Sequence, residues 1–159
     1  MKVTFKSIDH ANWKECICLT TNNDGSRTTF EKFICSNAVS IAQSKVEEGW
    51  ITKAIYHDAT MVGFTMYGFC HETNSFELCR LMIDHKYQGK GYGAAGLDKV
   101  IEEIKKLDGC REIFLSFDPE NPAKRLYEKF NFKDTGRVVD DELLYCLRIG
   151  PCAGGVACE

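Results

Sequence analysis

The segment Gln88-Gly89-Lys90-Gly91-Tyr92-Gly93-Ala94-Ala95-Gly96 constrains the fold more than any other stretch of the chain. It lies between the apolar run ending at Leu81-Met82-Ile83 and a pattern that places Leu97, Val100, Ile101, Ile104 and Leu107 on one helical face. Glycines let the backbone curl so that successive N–H groups face one concavity. The helix start then adds its own uncompensated N–H groups and the positive end of its dipole. A phosphate or pyrophosphate held on the main chain from Gly89 to Ala94 is the expectation, in preference to a plain glycine-rich turn.

Two familiar phosphate motifs do not account for this loop. The Walker pattern needs Ser or Thr after its lysine, whereas Lys90 precedes Gly91. Gly91-x-Gly93-x-x-Gly96 spells the dinucleotide fingerprint, and Asp118 ends a strand downstream. However, the glycines do not follow Ile83 in a tight turn, and the remaining chain is too short for two mononucleotide-binding halves.

Around this junction the chain reads as alternating strands and helices. Val3–Ile8 alternates like a half-buried strand, and Asp9 offers an N-cap for a helix through Trp13, Cys16, Ile17 and Thr20. Asn22–Ser26 reads as a loop, and Phe30, Phe33, Ile34, Val39, Ile41 and Ala42 suggest one or two helices up to Glu48, closed by a left-handed Gly49. A three-strand meander follows over Ile51–Tyr56, Thr60–Phe69 and Phe76–Ile83. Beyond the Gly91–Leu107 helix come a strand at Arg111–Phe117, a helix at Asn121–Phe130 and a strand at Glu142–Ile149. With 159 residues one domain over 1–149 is expected, able to hide roughly 70% of its unfolded surface, with 150–159 as a loose tail.

Charge and cysteine usage narrow the partners. A net charge of −3 argues against nucleic acid and is compatible with a cationic small molecule. The start lacks the apolar core of a signal peptide and no run reaches the ~20 residues of a membrane span, so a cytoplasmic protein without a membrane partner is expected. Nine cysteines contain no Cys-x-x-Cys, so they read as reduced thiols, with Cys79 packed like a small hydrophobe, and no metal is expected. The four histidines, scattered through turns and loops, receive no role.

Gln88-Gly89-Lys90-Gly91-Tyr92-Gly93 resembles the Gln-x-x-Gly-x-Gly pyrophosphate signature of the GNAT N-acetyltransferases, and the likeness extends over about residues 60 to 149. Ala123-Lys124-Arg125-Leu126-Tyr127-Glu128-Lys129-Phe130-Asn131-Phe132 resembles that family's Ala-x-x-Leu-Tyr-x-x-x-Gly-Phe helix, with Asn131 in the glycine position. Arg80–Asp84, Tyr87–Gly93, Val62-Gly63-Phe64 and Asp141-Glu142-Leu143 look most like bacterial spermine/spermidine (diamine) acetyltransferases. The resemblance implies an α/β (α+β) fold: a mixed, largely antiparallel sheet of six to seven strands flanked by about four helices and splayed at the strand ending near Ile83. It implies acetyl-CoA as cofactor, held by Leu81, Met82, Ile83, Gln88, Gly89, Lys90, Gly91, Tyr92, Gly93, Ala94, Asn121, Lys124 and Tyr127. A small-molecule amine would be the acceptor, and a homodimer is compatible with it.

Acyl transfer to an amine needs proton removal from the amine, stabilisation of a carbonyl oxygen gaining charge, and protonation of the departing sulfur. Glu77, eleven positions before Gln88, stands where protein-acetylating family members carry their general base. It reads equally as a strand carboxylate paired with Lys or Arg. Tyr127 carries a phenol of pKa about 10 that would donate to a thiolate of about 8.5, or it would be core, because Ala123, Leu126, Tyr127 and Phe130 share a face. The family match favours the acid. A main-chain N–H near Ile83 would meet the oxyanion. Glu31, Glu47, Glu48, Asp140, Asp141 and Glu142 are further carboxylates that a polyamine would need, or solvated surface. Three readings stay open: a polyamine acetyltransferase, an acetyltransferase for a protein amine or aminoglycoside-like compound, and a non-catalytic acyl-CoA-binding module.

Overall fold

The computed structural model describes residues 2–22, 24 and 36–150. The order is β1 (Thr4–Ser7), α1 (Trp13–Cys18), α2 (Asn37–Val46), β2 (Trp50–His57), β3 (Thr60–Cys70), β4 (Ser75–Ile83), a 3-10 turn at His85–Tyr87, α3 (Tyr92–Ile104), β5 (Glu112–Phe117), α4 (Lys124–Lys129), β6 (Lys133–Val139) and β7 (Glu142–Arg148). The strands form one sheet in the order β1-β2-β3-β4-β5-β7-β6. Every pairing is antiparallel except β4 with β5. This is the expected mixed α/β fold.

β3, at the centre of the meander, is buried on both faces. On one face Leu78, Tyr67, Ile113, Leu115, Phe117 and Tyr145 pack with Leu97, Val100 and Ile104 of α3 and with Phe132. Leu126, Tyr127 and Phe130 of α4 complete that layer. On the other, Ala54, Tyr56, Met61, Phe64 and Met66 pack with Cys16 of α1 and Ile41 of α2. Removing a fully buried side chain such as Leu97 from such a core costs about 2–5 kcal/mol.

β4 contains a discontinuity that controls the site. Met66 pairs with Arg80, but its neighbour Tyr67 pairs with Leu78, so Cys79 is an extra residue on a bulge. Its phase is visible in the chain: Phe76 and Leu78 pack toward α3, and after the insertion Leu81 does so. Cys79 is consequently exposed, against the expectation of a thiol packed as a hydrophobe.

Other differences have local causes. Asp9 caps a turn before α1 instead of the helix: its Oδ1 accepts from Ala11 N at 2.8 Å, and Asn12 takes the N-cap position. The helix expected from Asn121 begins at Lys124, because Asn121 Oδ1 accepts from Ala123 N at 2.9 Å and holds a turn there. Gly49 is left-handed (φ 95°) as expected, although α2 stops at Val46. β6 was missing from the expected strands because Lys-Asp-Thr-Gly-Arg-Val-Val is an exposed edge with no apolar alternation. Phe30, Phe33, Ile34, Glu31, Cys35, much of the Asn22–Ser26 loop and the tail beyond Gly150 lie outside the described residues.

Asn131 adopts φ 65°, the left-handed conformation expected of the family's glycine position. The reversal lets Phe132 N reach Tyr127 O at 3.1 Å and buries Phe132 completely. Asn131→Val should therefore destabilise the fold by about 1–2 kcal/mol, whereas Asn131→Gly should not; urea unfolding of both variants checks this.

Candidate active site

The site begins where β4 loses its neighbour. The parallel pairing of β4 with β5 consists of Glu77 opposite Phe114, and beyond it the two strands diverge. On its other side β4 stays paired with β3 as far as Ile83 opposite Gly63. Leu81, Met82 and Ile83 therefore offer one main-chain edge to a gap with no strand in it. Their side chains are occupied elsewhere: Leu81 and Ile83 pack on the α3 face, and Met82 packs against the α1 and α2 layer.

The glycine loop closes one end of the gap. Gly89 (φ 72°) and Gly91 (φ 88°) are both left-handed, and Gly91 is the N-cap of α3. A Cβ built on either would meet no atom within 4 Å, so the space in front of them is open to a ligand. Among the described residues no acceptor meets the main-chain N–H groups from Gly89 to Ala94. A run of free donors at a helix start, around open space, fits a pyrophosphate.

Side chains of the loop serve its shape. Gln88 Nε2 donates to Ile83 O (3.0 Å) and Thr21 O (3.2 Å). Lys90 Nζ turns back to Lys86 O at 2.9 Å and lies over the Tyr87 ring. Tyr92 packs edge-on to Tyr87 and against His57. Gly93 faces Leu126 of α4. Across the gap, Asn121 holds the turn before α4, and Lys124, half-buried, starts that helix.

Glu77 and Tyr127 are held on opposite faces. Glu77 alternates with Leu78, which packs toward α3, and so lies on the face that α1 and α2 occupy. Its carboxylate accepts hydrogen bonds from the hydroxyls of Thr73 and Ser75 (2.9 Å from Ser75), and among the described residues no Lys or Arg pairs with it. Thr73, in the β3–β4 turn, and Ser75, the first residue of β4, gave no signal in the sequence. Tyr127 packs between Phe117 and Phe132, with ring centroids 5.2 and 6.1 Å away. Its hydroxyl has no hydrogen-bond partner among the described residues and is not sealed from solvent. Burial, and after it the charge of Glu142, raises its pKa. The phenol therefore combines both roles considered for it, a packed ring with a free donor.

Two cavities of about 550 and 540 Å³ lie elsewhere, one among Ile51, Phe69, Phe76 and Leu107 and one between β1 and α3, and neither includes any expected site residue. The site is the open gap and its loop. No group of His, Cys, Asp and Glu among the described residues could hold a metal ion, and no helix among them is long and apolar enough to cross a membrane.

Gly91→Val should leave the core packing intact, since no atom obstructs the new side chain, and should lower stability by about 1–2 kcal/mol, because valine is strained at φ 88°. It should weaken coenzyme A binding beyond detection by filling the space before the free N–H groups. Calorimetric titration beside a thermal melt measures both effects.

Comparison with known proteins agrees with this geometry. A profile of the Acetyltransferase (GNAT) family matches residues 11–132. The chain is 33% identical over 113 residues to a spermine/spermidine N(1)-acetyltransferase of Bacillus subtilis (strain 168), covering 67% of this chain and 74% of that protein. Among solved structures, the PaiA N-acetyltransferase of Thermoplasma acidophilum in complex with coenzyme A superposes with a TM-score of 0.66 at 18% identity, over 94% of this chain and 100% of that one. A spermidine N-acetyltransferase SpeG chimera from Vibrio cholerae and hSSAT reaches 0.70 at 13% identity, over 93% and 96%. A strand splayed beside a glycine loop of free N–H groups, within a sequence that matches the family over most of its length, makes this chain a member of the GNAT family, an acetyl-CoA-dependent N-acetyltransferase.

Proposed function

We propose that the chain transfers the acetyl group of acetyl-CoA to a primary amine of a polyamine such as spermidine or spermine. The observation that carries the transfer is the placement of a carboxylate without a cation, Glu77, and a phenol without a partner, Tyr127, on the two faces of the same splayed sheet. The polyamine reading draws on the relative that is 33% identical and named for spermine and spermidine, and on the net charge of −3.

Bound acetyl-CoA supplies an activated thioester. The main chain from Gly89 to Ala94 would hold its pyrophosphate, and the β4 edge at Leu81, Met82 and Ile83 would line the arm in the gap. Asn121 and Lys124 would meet it from the α4 side. Glu77, fixed by two hydroxyls, would take the proton from the ammonium group, directly or through water. An alkylammonium of pKa about 10.4 holds its proton at neutral pH, so this step needs a base. A main-chain N–H near Ile83 would donate to the carbonyl oxygen. Tyr127 would donate its Oη proton to the leaving sulfur. Its raised pKa keeps the phenol protonated across neutral pH and past about 10.

Release of coenzyme A across an amine panel tests the acceptor: spermidine and spermine should exceed simple monoamines and peptide N-termini in kcat/KM, and the reverse order would transfer the function to another amine. Tyr127→Phe should lower turnover by ~10²–10⁴-fold at unchanged coenzyme A affinity. Full activity in that variant would leave Tyr127 as packing alone. In the wild type, no loss of rate from Tyr127 ionisation should appear below about pH 10, because its pKa is shifted upward.

A further inference from the structure

The cavity of about 550 Å³ among Ile51, Phe69, Phe76 and Leu107 is separate from the acetyl-transfer gap. α3 starts at the glycine loop, and the cavity lies just past its other end, at Leu107, Asp108 and Gly109. The 13 residues of that helix rise about 20 Å between the two. Glu77 follows Phe76 in β4 but lies on the other face of the sheet.

Two glycines build the rim. Gly49 O accepts from Phe69 N at 3.1 Å. A Cβ on Gly68 would run into Gly49 O, and one on Gly49 would run into Phe69 O. Glycine at both positions therefore lets the start of β2 and the end of β3 approach this closely, which fixes where Phe69 stands. Phe69 packs edge-on to His71 and to Phe76, with ring centroids 5.0 and 5.1 Å away. The four apolar walls stay half-buried, whereas Leu78, Leu97 and Ile104 of the same layer are buried. Apolar surface left against water in a preformed hollow favours an apolar occupant.

The polar edge of the cavity is acidic. His71 and Asp108 are its polar side chains, and both are exposed. Asp108 has neither a hydrogen bond nor an ion pair among the described residues. It follows the closing turns of α3, in which Lys106 N donates to Glu103 O and Leu107 N to Ile104 O, at the negative end of the helix dipole. Glu48 and Glu72, next in the chain to Gly49 and His71, add two carboxylates. Of the lysines in the closing turn, Lys106 pairs with Glu103 at 3.0 Å and Lys105 is exposed to solvent. An ammonium group complements such an edge, and a carboxylate or phosphate is opposed by it. A polyamine, charged along its length, matches the apolar walls poorly.

We infer that this cavity is a second binding site, apart from acetyl transfer, for an organic cation with a compact apolar body. The body packs on Ile51, Phe69, Phe76 and Leu107, and the ammonium group meets Asp108.

The probe is N,N-dimethylphenethylammonium, a tertiary cation that cannot be acetylated to an amide, compared with neutral 2-phenylethanol and with spermidine. Each is titrated into the full chain without acetyl-CoA and followed by backbone amide shifts. The tertiary cation should move Gly49, Phe69 and Leu107–Gly109 with a Kd of about 1–5 mM, the range set by its ~11 heavy atoms. Asp108→Asn, at an exposed position, should weaken it about two- to fivefold, the worth of an exposed ion pair, and leave 2-phenylethanol unchanged. Spermidine should not move these amides. Shifts confined to Leu81–Ala94, an affinity indifferent to Asp108→Asn, or equal binding of spermidine at the cavity would each overturn the inference. Concentration-dependent shifts at Leu107–Gly109 that precede the probe and resist it would mean that a second copy covers the cavity, and would overturn it as well. None of these outcomes depends on which amine the protein acetylates.

Discussion

The arrangement depends on β4 being bonded to a neighbour along one edge and released along the other. A buried strand ordinarily completes both ladders, because unpaired main-chain groups away from water are costly. Here the parallel ladder stops at Glu77 opposite Phe114, while the antiparallel one with β3 continues to Ile83. The bulge at Cys79 lies just past the last parallel pair, and an added residue there bends the strand and increases its twist. β4 thereby leaves the path of β5. The groups it leaves unpaired are those that an extended cofactor arm would satisfy.

Two faces of the sheet then acquire different tasks. α3 and α4 pack Leu97, Val100, Ile104, Leu126 and Tyr127 into one layer, so that the glycine loop and the phenol ride on the same rigid body. α1 and α2 form the other layer, packed around Met82 of β4, and polar bonds at Arg80 and at Asp84, just past the strand, add to that packing. An apolar contact tolerates sliding, whereas a hydrogen bond fixes a distance. The α1 and α2 layer is thus set against the strand by directional contacts as well as by packing.

Much of this was legible from residue patterns. The meander, the amphipathic α3 and the glycine loop follow from period and composition, and the left-handed Asn131 follows from its place after a short helix. β6 was not legible, because an exposed edge of charged residues lacks the alternation that marks a strand. The bulge left a trace in the chain, since apolar residues shift from Phe76 and Leu78 to Leu81 and Ile83, but one shifted position reads as noise without its partner strand. The hydroxyls on Glu77 and the reach of Asp84 to Thr20 depend on a turn and on a contact 64 residues apart, and local periodicity carries neither. Asn121 spends its Oδ1 locally on its own turn.

The cysteines bear on how such a protein is handled. Cys16 is buried, and desolvation pushes its thiol up to about 12, so it hardly ionises at neutral pH. Cys18, on the same helix, and Cys79, on the bulge beside the gap, are exposed thiols outside any disulfide. A disulfide-exchange reagent that counts coenzyme A by its sulfhydryl would also count these two, and would attach a bulky group at Cys79 within the strand that lines the gap. A measurement of product made in that way would inhibit what it measures, so a readout that consumes no thiol, such as loss of thioester absorbance, reports the undisturbed protein.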